Sequence, residues 1–349
     1  MAFDGFLMAA LTKELSDRLT GGHLQKISQP EQDELILAVK NNRQTWRLVL
    51  SASPSLPLIY LTDKSKTAPL TAPNFCMLLR KHLSGARICR IYQHELERVI
   101  FIEFENRNEL GDLVHRNLVI EIMGKHSNII FLDEENKIVD SIRHVSALVS
   151  SVREVLPGRT YFIPNTREKH NPFELTTELW MTELTKQPVS IAKGLCNYLT
   201  GFSFSMAQEV AYRCHLDGDD PFASCNGNQL STLLSCLRAL MEHVKNGNFE
   251  PEIVFHNGEP VEFSAFEMKR YEAEGYEHRP FESVSRMIEV FYGEKEMIQR
   301  IRQKSADLRK NVTNLLERDQ KKIDIQRKQL KDTEKRERFK VYEIGRASC

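Results

Sequence analysis

The sequence predicts an α+β protein in which a β-sheet domain precedes a helical domain and the start of a long helical arm. Three observations support this prediction. Alternating apolar segments separated by turn residues dominate residues 1–165, whereas leucine and methionine recur at helical spacing in residues 166–250. After a strand-containing return segment, 251–283, apolar residues recur at intervals of seven within 284–349. We therefore divide the chain into these four parts.

The first part begins with a predicted helix, capped by Asp4, whose leucines repeat every four residues up to Gly21-Gly22. Eight strand-like segments follow, with one short helix among them. The strands are HLQKISQ, DELILAVK, QTWRLVLS, LPLIYLT, ARICRIYQ, ERVIFIEFE, HRNLVIEIM and NIIFLD, and the helix is FCMLLRKHL. The pattern indicates one or two antiparallel sheets with two attached helices, ending near Pro164.

The second part contains a candidate phosphate-binding turn. The segment LCNYLTGFSFSMAQEVAYRC fits the helix–hairpin–helix pattern L-x-G-h-G-x-x-x-A-x-x-h, where h is apolar, except that Ser203 replaces the second glycine. In this motif a tight turn at Gly201 presents backbone N–H groups at a helix N-terminus to a nucleic-acid phosphate. A plain helical hairpin that packs its own core explains the same pattern.

The remaining parts contain a hairpin and a long helix. Asn257-Gly258 predicts a two-residue turn between two strands. From Val284 a helix is predicted in which half of the seam positions are polar, so it forms only half of a coiled-coil seam. Because such a helix needs a partner, we expect the natural protein to continue beyond Cys349.

The charge of the chain is balanced overall but uneven along its length, with 48 Lys and Arg against 48 Asp and Glu. Residues 166–293 contain 11 basic and 19 acidic residues, whereas residues 294–340 contain 16 basic and nine acidic ones. The basic arm is therefore a candidate for contact with phosphate. A solvated helix of mixed charge explains it equally well.

Several classes of protein are not supported by the sequence. No apolar stretch is long enough to span a bilayer, and the N-terminus lacks the basic start of a signal peptide. The seven cysteines are scattered and never spaced CxxC, so we expect free thiols in a reducing cytoplasm. Phosphate-loop, dinucleotide, zincin and GxSxG motifs are absent, and the histidines show no metal-ligand spacing. We therefore expect no cofactor, no metal and no enzyme with covalent chemistry of its own.

Several segments together resemble the NFACT family. They are MAFDGFLMAALTKEL, NFCMLLRKHLSGARI, EIMGKHSNIIFLD, GFS at 201–203 and ERDQKKIDIQRKQLKDTEKRERFK. Their order and spacing are similar to those of the bacterial RqcH type (fibronectin-binding protein A-like), related to eukaryotic NEMF, up to about residue 342. The resemblance implies a sheet domain similar to formamidopyrimidine DNA glycosylases, then a helix–hairpin–helix domain and a coiled-coil arm.

The same resemblance implies a cytoplasmic factor in ribosome-associated quality control. Its partners would be tRNA, ribosomal RNA and the large ribosomal subunit carrying a stalled peptidyl-tRNA. It would recruit tRNA, in bacteria alanyl-tRNA, for C-terminal tailing without mRNA, while ribosomal RNA forms the peptide bond. Base excision is not expected, because Ala2-Phe3-Asp4 follows Met1 where the glycosylases carry a catalytic proline and glutamate, and paired CxxC motifs are missing.

The resemblance links an acidic–arginine pair in an L-D-R segment to tRNA binding. Here the segment is Leu96-Glu97-Arg98, with Glu in place of Asp. A cross-strand ion pair on a sheet face also explains the pair. The strands ERVIFIEFE and HRNLVIEIM should pair antiparallel around a turn centred near residue 110, which brings Glu97-Arg98 close to residues 121–123.

Two groups of candidate site residues follow. The predicted tRNA-contacting surface comprises Glu97, Arg98, Glu121, Ile122, Met123, Lys125 and His126, with Ile122 the member expected in the core. Weaker candidates for contact with phosphate or RNA are Arg80, Lys81, Arg87, Arg90, Gly201, Ser203, Lys321, Lys322, Arg327 and Lys328. Ordinary solvation explains the exposed cations of the second group equally well.

Two alternative functions remain open at this point. The older family label suggests a surface adhesin that binds fibronectin or matrix, although no signal peptide or anchor in the sequence supports it. A glycosylase-like DNA-binding protein is the weaker alternative.

Overall fold

The structure, a computed structural model, describes residues 3–108, 110–164 and 169–347. The chain divides into two compact units, residues 1–291 and residues 292–349. Within the first unit a large antiparallel sheet, a set of helices and a small second sheet follow one another. The predicted α+β class is therefore confirmed, whereas the boundaries of the four predicted parts stay a prediction.

The large sheet has nine antiparallel strands in the order β4-β3-β2-β1-β5-β6-β7-β8-β9. Its elements, in chain order, are α1 (Gly5–Leu19), β1 (His23–Glu31), β2 (Glu34–Asn41), β3 (Gln44–Ser51), β4 (Leu58–Thr62), α2 (Asn74–Leu83), β5 (Arg87–Gln93), β6 (Val99–Arg107), β7 (Leu113–Glu121), β8 (Asn128–Leu132) and β9 (Ile138–Ser141). All eight predicted strands and both predicted helices are present. The short β9 was not predicted, because only two of its four residues are apolar.

Helix α1 forms because an apolar stripe and a cap coincide in the sequence. The Asp4 carboxylate accepts a hydrogen bond from the Leu7 backbone N–H at 2.9 Å, which confirms the predicted cap. The four leucines of the predicted stripe are fully buried, and Gly21, with φ of +83°, lies just beyond the end of the helix. The helix packs mainly on β5.

One face of β5–β9 is covered by the irregular chain that follows the sheet. Val99, Phe101 and Val119 form a cluster on this face with Val155, and Tyr161 packs against it. This second layer lies over the strand ends at Val99 and Glu121, next to the candidate site residues.

The next segment is helical, as predicted. Its helices are α3 (Thr177–Thr182), α4 (Ile191–Tyr198), α5 (Phe204–Arg213) and α6 (Gly227–Lys245). Trp180 anchors them, since its side chain is fully buried and its indole N–H donates to the Leu230 carbonyl at 3.1 Å. Helices α4 and α5 pack against each other as a hairpin joined through Gly201.

A three-stranded sheet completes the first unit. Its strands are β10 (Glu252–His256), β11 (Glu259–Ser264) and β12 (Tyr276–Pro280), in the order β11-β10-β12. Asn257 and Gly258 both have positive φ, of 52° and 78°, which confirms the two-residue turn. The edge strand β12 was not predicted, because it contains no alternating apolar residues.

Helix α7 (Val284–Ala347) begins where the sequence predicts. All residues from 308 to 333 are exposed, including the apolar Leu308, Leu315 and Leu330. The predicted coiled-coil pairing of this helix stays a prediction. In the part of the chain that the structure describes, no helix is long and apolar enough to cross a membrane.

Candidate functional site

The register of the β6–β7 hairpin places the two predicted site segments side by side. Val99 pairs with Glu121, and the Ile122 N–H donates to the Arg98 carbonyl at 2.9 Å. This pairing is centred on residue 110, as the sequence predicts. The predicted closeness of Glu97-Arg98 to residues 121–123 is therefore confirmed.

The turn that carries Glu97 and Arg98 is fixed from inside the protein. The Gln93 side-chain amide donates to the carbonyls of Glu97 and Gly5, at 2.8 and 2.9 Å, and Leu96 is fully buried. Glu97 is left half-buried and Arg98 exposed. Over the described residues, neither side chain has a hydrogen bond or an ion pair. The alternative interpretation, an ion pair of these residues on a sheet face, is therefore not what holds this turn.

Two glycines allow the turn to meet the N-terminal helix and the helical hairpin. The Gly5 N–H donates to the Gly201 carbonyl at 2.8 Å. A Cβ atom on Gly5 would lie 2.2 Å from the Leu96 carbonyl oxygen, and one on Gly201 would lie 2.5 Å from the Leu96 Cβ. Gly201 also has φ of +87°, which favours glycine. We call this contact of Gly5, Leu96 and Gly201 the glycine junction.

The predicted phosphate-binding turn lies at this junction. The Ser203 hydroxyl caps α5 by accepting from the Met206 N–H at 3.1 Å, and it donates to the Asp4 carboxylate at 2.7 Å. Phe202 packs edge-to-face on Phe6, with ring centroids 4.8 Å apart. Gly201 and Ser203 are both half-buried, and their contacts outside the helical hairpin are with Asp4, Gly5 and Leu96. A role for them in binding phosphate stays a prediction.

The environment of Asp4 predicts a measurable dependence of stability on pH. Burial, opposed by the Leu7 N–H and the Ser203 hydroxyl, raises the pKa of Asp4 from 3.8 to about 6. A carboxyl with a raised folded-state pKa favours folding while it is protonated, and this contribution is lost as the pH rises from about 4 through 6. The shift corresponds to at most about 3 kcal/mol, lowered by the part of the residue that water still reaches.

Asp4→Asn removes this titration, so we expect its stability relative to the wild type to increase between pH 4 and pH 7. Urea unfolding of both proteins at the two pH values measures this change. Asp17→Asn is the control, because the Asp17 side chain is 58% exposed and pairs with Lys13 on the surface. A difference between wild type and Asp4→Asn that stays constant with pH would contradict the assignment.

Glu121 occupies a buried site at the end of β7. Its side chain is fully buried, accepts a hydrogen bond from the Tyr161 hydroxyl at 2.9 Å and forms an ion pair with the Arg153 guanidinium. Burial and the adjacent carboxylate raise the pKa of Tyr161 well above its usual value. Glu121 was predicted as a contact residue, but its carboxylate is enclosed and does not reach the surface.

The neighbouring residues divide between core and surface. Ile122 is buried, as predicted for the one core member, and the half-buried Met123 packs on the Val99 cluster. Gly124, with φ of +60°, begins a single 3₁₀ turn over Gly124–His126. This turn leaves Lys125 and His126 exposed, without side-chain partners among the described residues. We use the name hairpin-end surface for Glu97, Arg98, Lys125 and His126.

The four basic residues around α2 and β5 do not form one free patch. Arg80 donates to the Ile27 carbonyl at 2.9 Å, Arg87 pairs with Glu105 at 3.3 Å, and Arg90 lies over the Tyr92 ring at 4.4 Å. Lys81 is exposed on α2. The four candidates on α7, Lys321, Lys322, Arg327 and Lys328, are exposed as well.

Arg153 and Tyr161 were missed by the sequence analysis. They lie in VREVLPGRTYF, which has no regular periodicity. The sequence contained one signal for such a partner. Glu121 ends an apolar strand, and a glutamate that is buried there needs a cationic partner.

Comparison with known proteins identifies the family. Residues 4–343 match the family described as NFACT N-terminal and middle domains. The chain belongs to the NFACT family. The Rqc2 homolog RqcH of Bacillus subtilis is 34% identical over 343 residues, which are 98% of this chain and 58% of that protein. The chain therefore spans little more than half the length of this curated relative.

Two further relatives extend the comparison. The ribosome quality control complex subunit 2 of Saccharomyces cerevisiae is 28% identical over 177 residues, covering 48% of this chain and 16% of that protein. The solved N-terminal part of the fibronectin/fibrinogen-binding protein from Streptococcus suis superposes with a TM-score of 0.68 at 31% identity, covering 84% of this chain and 99% of that one. The predicted membership of the NFACT family is confirmed, while the glycosylase-like and helix–hairpin–helix parts of the fold stay predictions.

Proposed function

We propose that this chain is the N-terminal part of a cytoplasmic ribosome-associated quality-control factor. The whole factor binds the large ribosomal subunit that carries a stalled peptidyl-tRNA, and it recruits alanyl-tRNA for mRNA-independent C-terminal tailing of the nascent chain. Family membership supports this proposal, together with the Bacillus and yeast relatives, whose names refer to Rqc2 and to ribosome quality control.

Within this proposal the hairpin-end surface contacts tRNA. One observation supports this assignment more than any other. The Arg98 side chain is exposed and has no partner among the described residues, whereas its backbone is held by β7 and by the turn at the glycine junction. A guanidinium held in this way has its donors available for bidentate hydrogen bonds to phosphate or to a guanine edge. Lys125 and His126 add cationic or donor groups at the same end of the hairpin.

Two further roles follow from the proposal. The Glu97 carboxylate, beside Arg98 in sequence, orients the guanidinium or accepts from a base amino group. The exposed lysines and arginines of α7 contact ribosomal RNA with an affinity that falls as salt rises. The chain itself contributes no covalent step, because it positions tRNA and ribosomal RNA forms the peptide bond.

Replacing Arg98 by Ala is expected to weaken tRNA binding. Loss of charge-assisted hydrogen bonds costs about 1.5–3 kcal/mol, which is roughly a 10- to 150-fold higher Kd. Stability should change by less than about 1 kcal/mol, since no ion pair of the described chain is lost. Filter binding of tRNA at fixed salt and thermal unfolding measure the two effects.

Arg43→Ala is the matched control. Arg43 is another exposed arginine whose side chain has no partner among the described residues. It lies in the turn between β2 and β3, and its loss changes the net charge equally. An Arg98→Ala protein that binds tRNA like the wild type, or one that loses no more affinity than Arg43→Ala, would contradict the site assignment.

A second candidate function is binding of fibronectin or fibrinogen. The name of the similar Streptococcus suis protein, a fibronectin/fibrinogen-binding protein, favours it. Immobilised fibronectin and tRNA, tested with one protein preparation, separate the two functions. Saturable binding to fibronectin that is unaffected in Arg98→Ala, without binding to tRNA, would favour the second.

A further inference from the structure

Three potential metal ligands from adjacent strands converge on one face of the large sheet. Cys89 of β5, Glu105 of β6 and His115 of β7 place one sulfur, one oxygen and one nitrogen atom within 4.8 Å of one another. Strand pairing produces this arrangement, because Glu105 lies directly opposite His115. A β-bulge between Ile88 and Arg90 leaves Cys89 out of the register, and it turns this side chain toward the other two.

The imidazole of His115 is already oriented for ligation. Its Nδ1 lies 2.9 Å from a carboxylate oxygen of Glu103. Because a carboxylate only accepts, the neutral ring that binds a metal carries its proton on Nδ1 and its lone pair on Nε2. Nε2 lies 3.9 Å from Oε2 of Glu105. A carboxylate that accepts from the second nitrogen of a ligating histidine is a common feature of zinc sites.

Glu105 divides its two oxygens between different neighbours. Its Oε1 lies 3.3 Å from Nε of Arg87, whereas Oε2 faces His115. One oxygen therefore remains for a metal while the other stays with the arginine. The His115 side chain is 48% exposed and Glu105 21% exposed, so an ion can enter from solvent and keep water as a further ligand.

We propose that Cys89, Glu105 and His115 bind a Zn²⁺ ion, with Glu103 as the positioning residue for the imidazole. Thiolate, imidazole and carboxylate together match Zn²⁺, whereas Mg²⁺ and Ca²⁺ prefer oxygen ligands alone. Bond lengths of about 2.0–2.3 Å place the ligands of a tetrahedral zinc within about 3.8 Å of one another. Small rotations of the half-buried Glu105 and the exposed His115 side chains close the remaining distance, and the His115 ring keeps Glu103 as its partner. The metal then cross-links β5, β6 and β7 beside the bulge.

The sequence alone does not indicate this site. Its ligands are separated by 16 and ten positions, without a CxxC or HxxxH spacing, and the bulge that aims Cys89 cannot be recognised in ARICRIYQ. The inference does not depend on RNA binding, so its failure and the failure of the proposed function are distinguishable.

Co²⁺ titration of the metal-stripped full chain tests the proposal. We expect a thiolate-to-cobalt charge-transfer absorption at one equivalent, abolished by Zn²⁺, absent in Cys89→Ser and lost in His115→Ala. Glu103→Gln should retain the absorption with about 10- to 100-fold weaker affinity, since it removes only the orienting carboxylate. Zn²⁺ should also raise the melting temperature of the wild type but not that of His115→Ala.

Cys236→Ser is the control, because Cys236 contacts Cys214 and this pair is the competing source of a thiolate ligand. It should leave the absorption unchanged. The proposal is overturned if the wild type shows no such absorption, or if the absorption survives in Cys89→Ser, whether or not it disappears in Cys236→Ser. Circular dichroism of each variant confirms that a lost signal does not come from unfolding.

Discussion

Replacing Glu121 by Ala is expected to lower the free energy of unfolding by about 3–5 kcal/mol, because it leaves a buried arginine without its counter-ion. The Arg153 side chain is only 9% exposed, and the Tyr161 hydroxyl would lose its acceptor in the same change. Urea unfolding at pH 7 measures the loss. The slope of the transition should stay the same if the native state remains compact.

Two controls separate this effect from a general loss of charge. Glu135→Ala removes an exposed carboxylate whose pair with Lys137 lies at the surface, and it should cost less than about 1 kcal/mol. The double variant Glu121→Ala/Arg153→Ala should be more stable than the sum of the two single effects predicts, since it leaves no unpaired charge. Additive losses would show that the two side chains are not energetically coupled.

Replacing Gly5 by Ala is expected to destabilise the protein by about 3 kcal/mol or more, at the upper end of the cost of overpacking. The added Cβ would lie 2.2 Å from the Leu96 carbonyl oxygen and 2.5 Å from the Gly201 Cα. Both neighbours are backbone atoms, so rotation of a side chain cannot relieve the contact. Thermal and urea unfolding measure the loss.

Gly227→Ala is the matched control, because Gly227 begins α6 and a Cβ there meets no atom within 4 Å. It should be neutral or slightly stabilising, since alanine is the better helix former. Wild-type stability in Gly5→Ala would mean that the glycine junction opens without cost. If Gly5→Ala folds but binds tRNA more weakly than the wild type, the glycine junction positions Arg98.

Much of the fold follows from local sequence, and so does the position of Arg98. Alternation of apolar residues identifies β6 and β7, and the polar turn between them sets a register in which residues 99 and 121 pair. Both facts lie within about 25 consecutive residues, so no long-range information is needed. The same holds for the cap at Asp4 and the turn at Asn257-Gly258.

The missed parts depend on contacts between distant segments. Glu121 and Arg153 are 32 residues apart, and the segment that brings them together has no periodicity. Gly201 shows a different difficulty. A glycine needed for close approach to a phosphate and one needed for close approach to Gly5 look alike in sequence.

The joint between β1 and β5 has a mechanical consequence. Their register contains one residue pair, His23 with Arg87, with a few backbone hydrogen bonds beside it that involve Gly22 and Leu24. Strands β1–β4 and β5–β9 are thus two halves of the sheet, joined to each other by a short stretch of backbone hydrogen bonds. A torque applied at the β5–β9 half, where Arg98 and His126 lie, reaches β1–β4 through that joint and through two helices. Helix α1 packs on β5 and β2, and α2 packs on β1 while its His82 carbonyl accepts a hydrogen bond from Asn106 of β6. A change of twist in one half is therefore passed to the other by the packing of α1 and α2 as well as by the hydrogen bonds of the sheet.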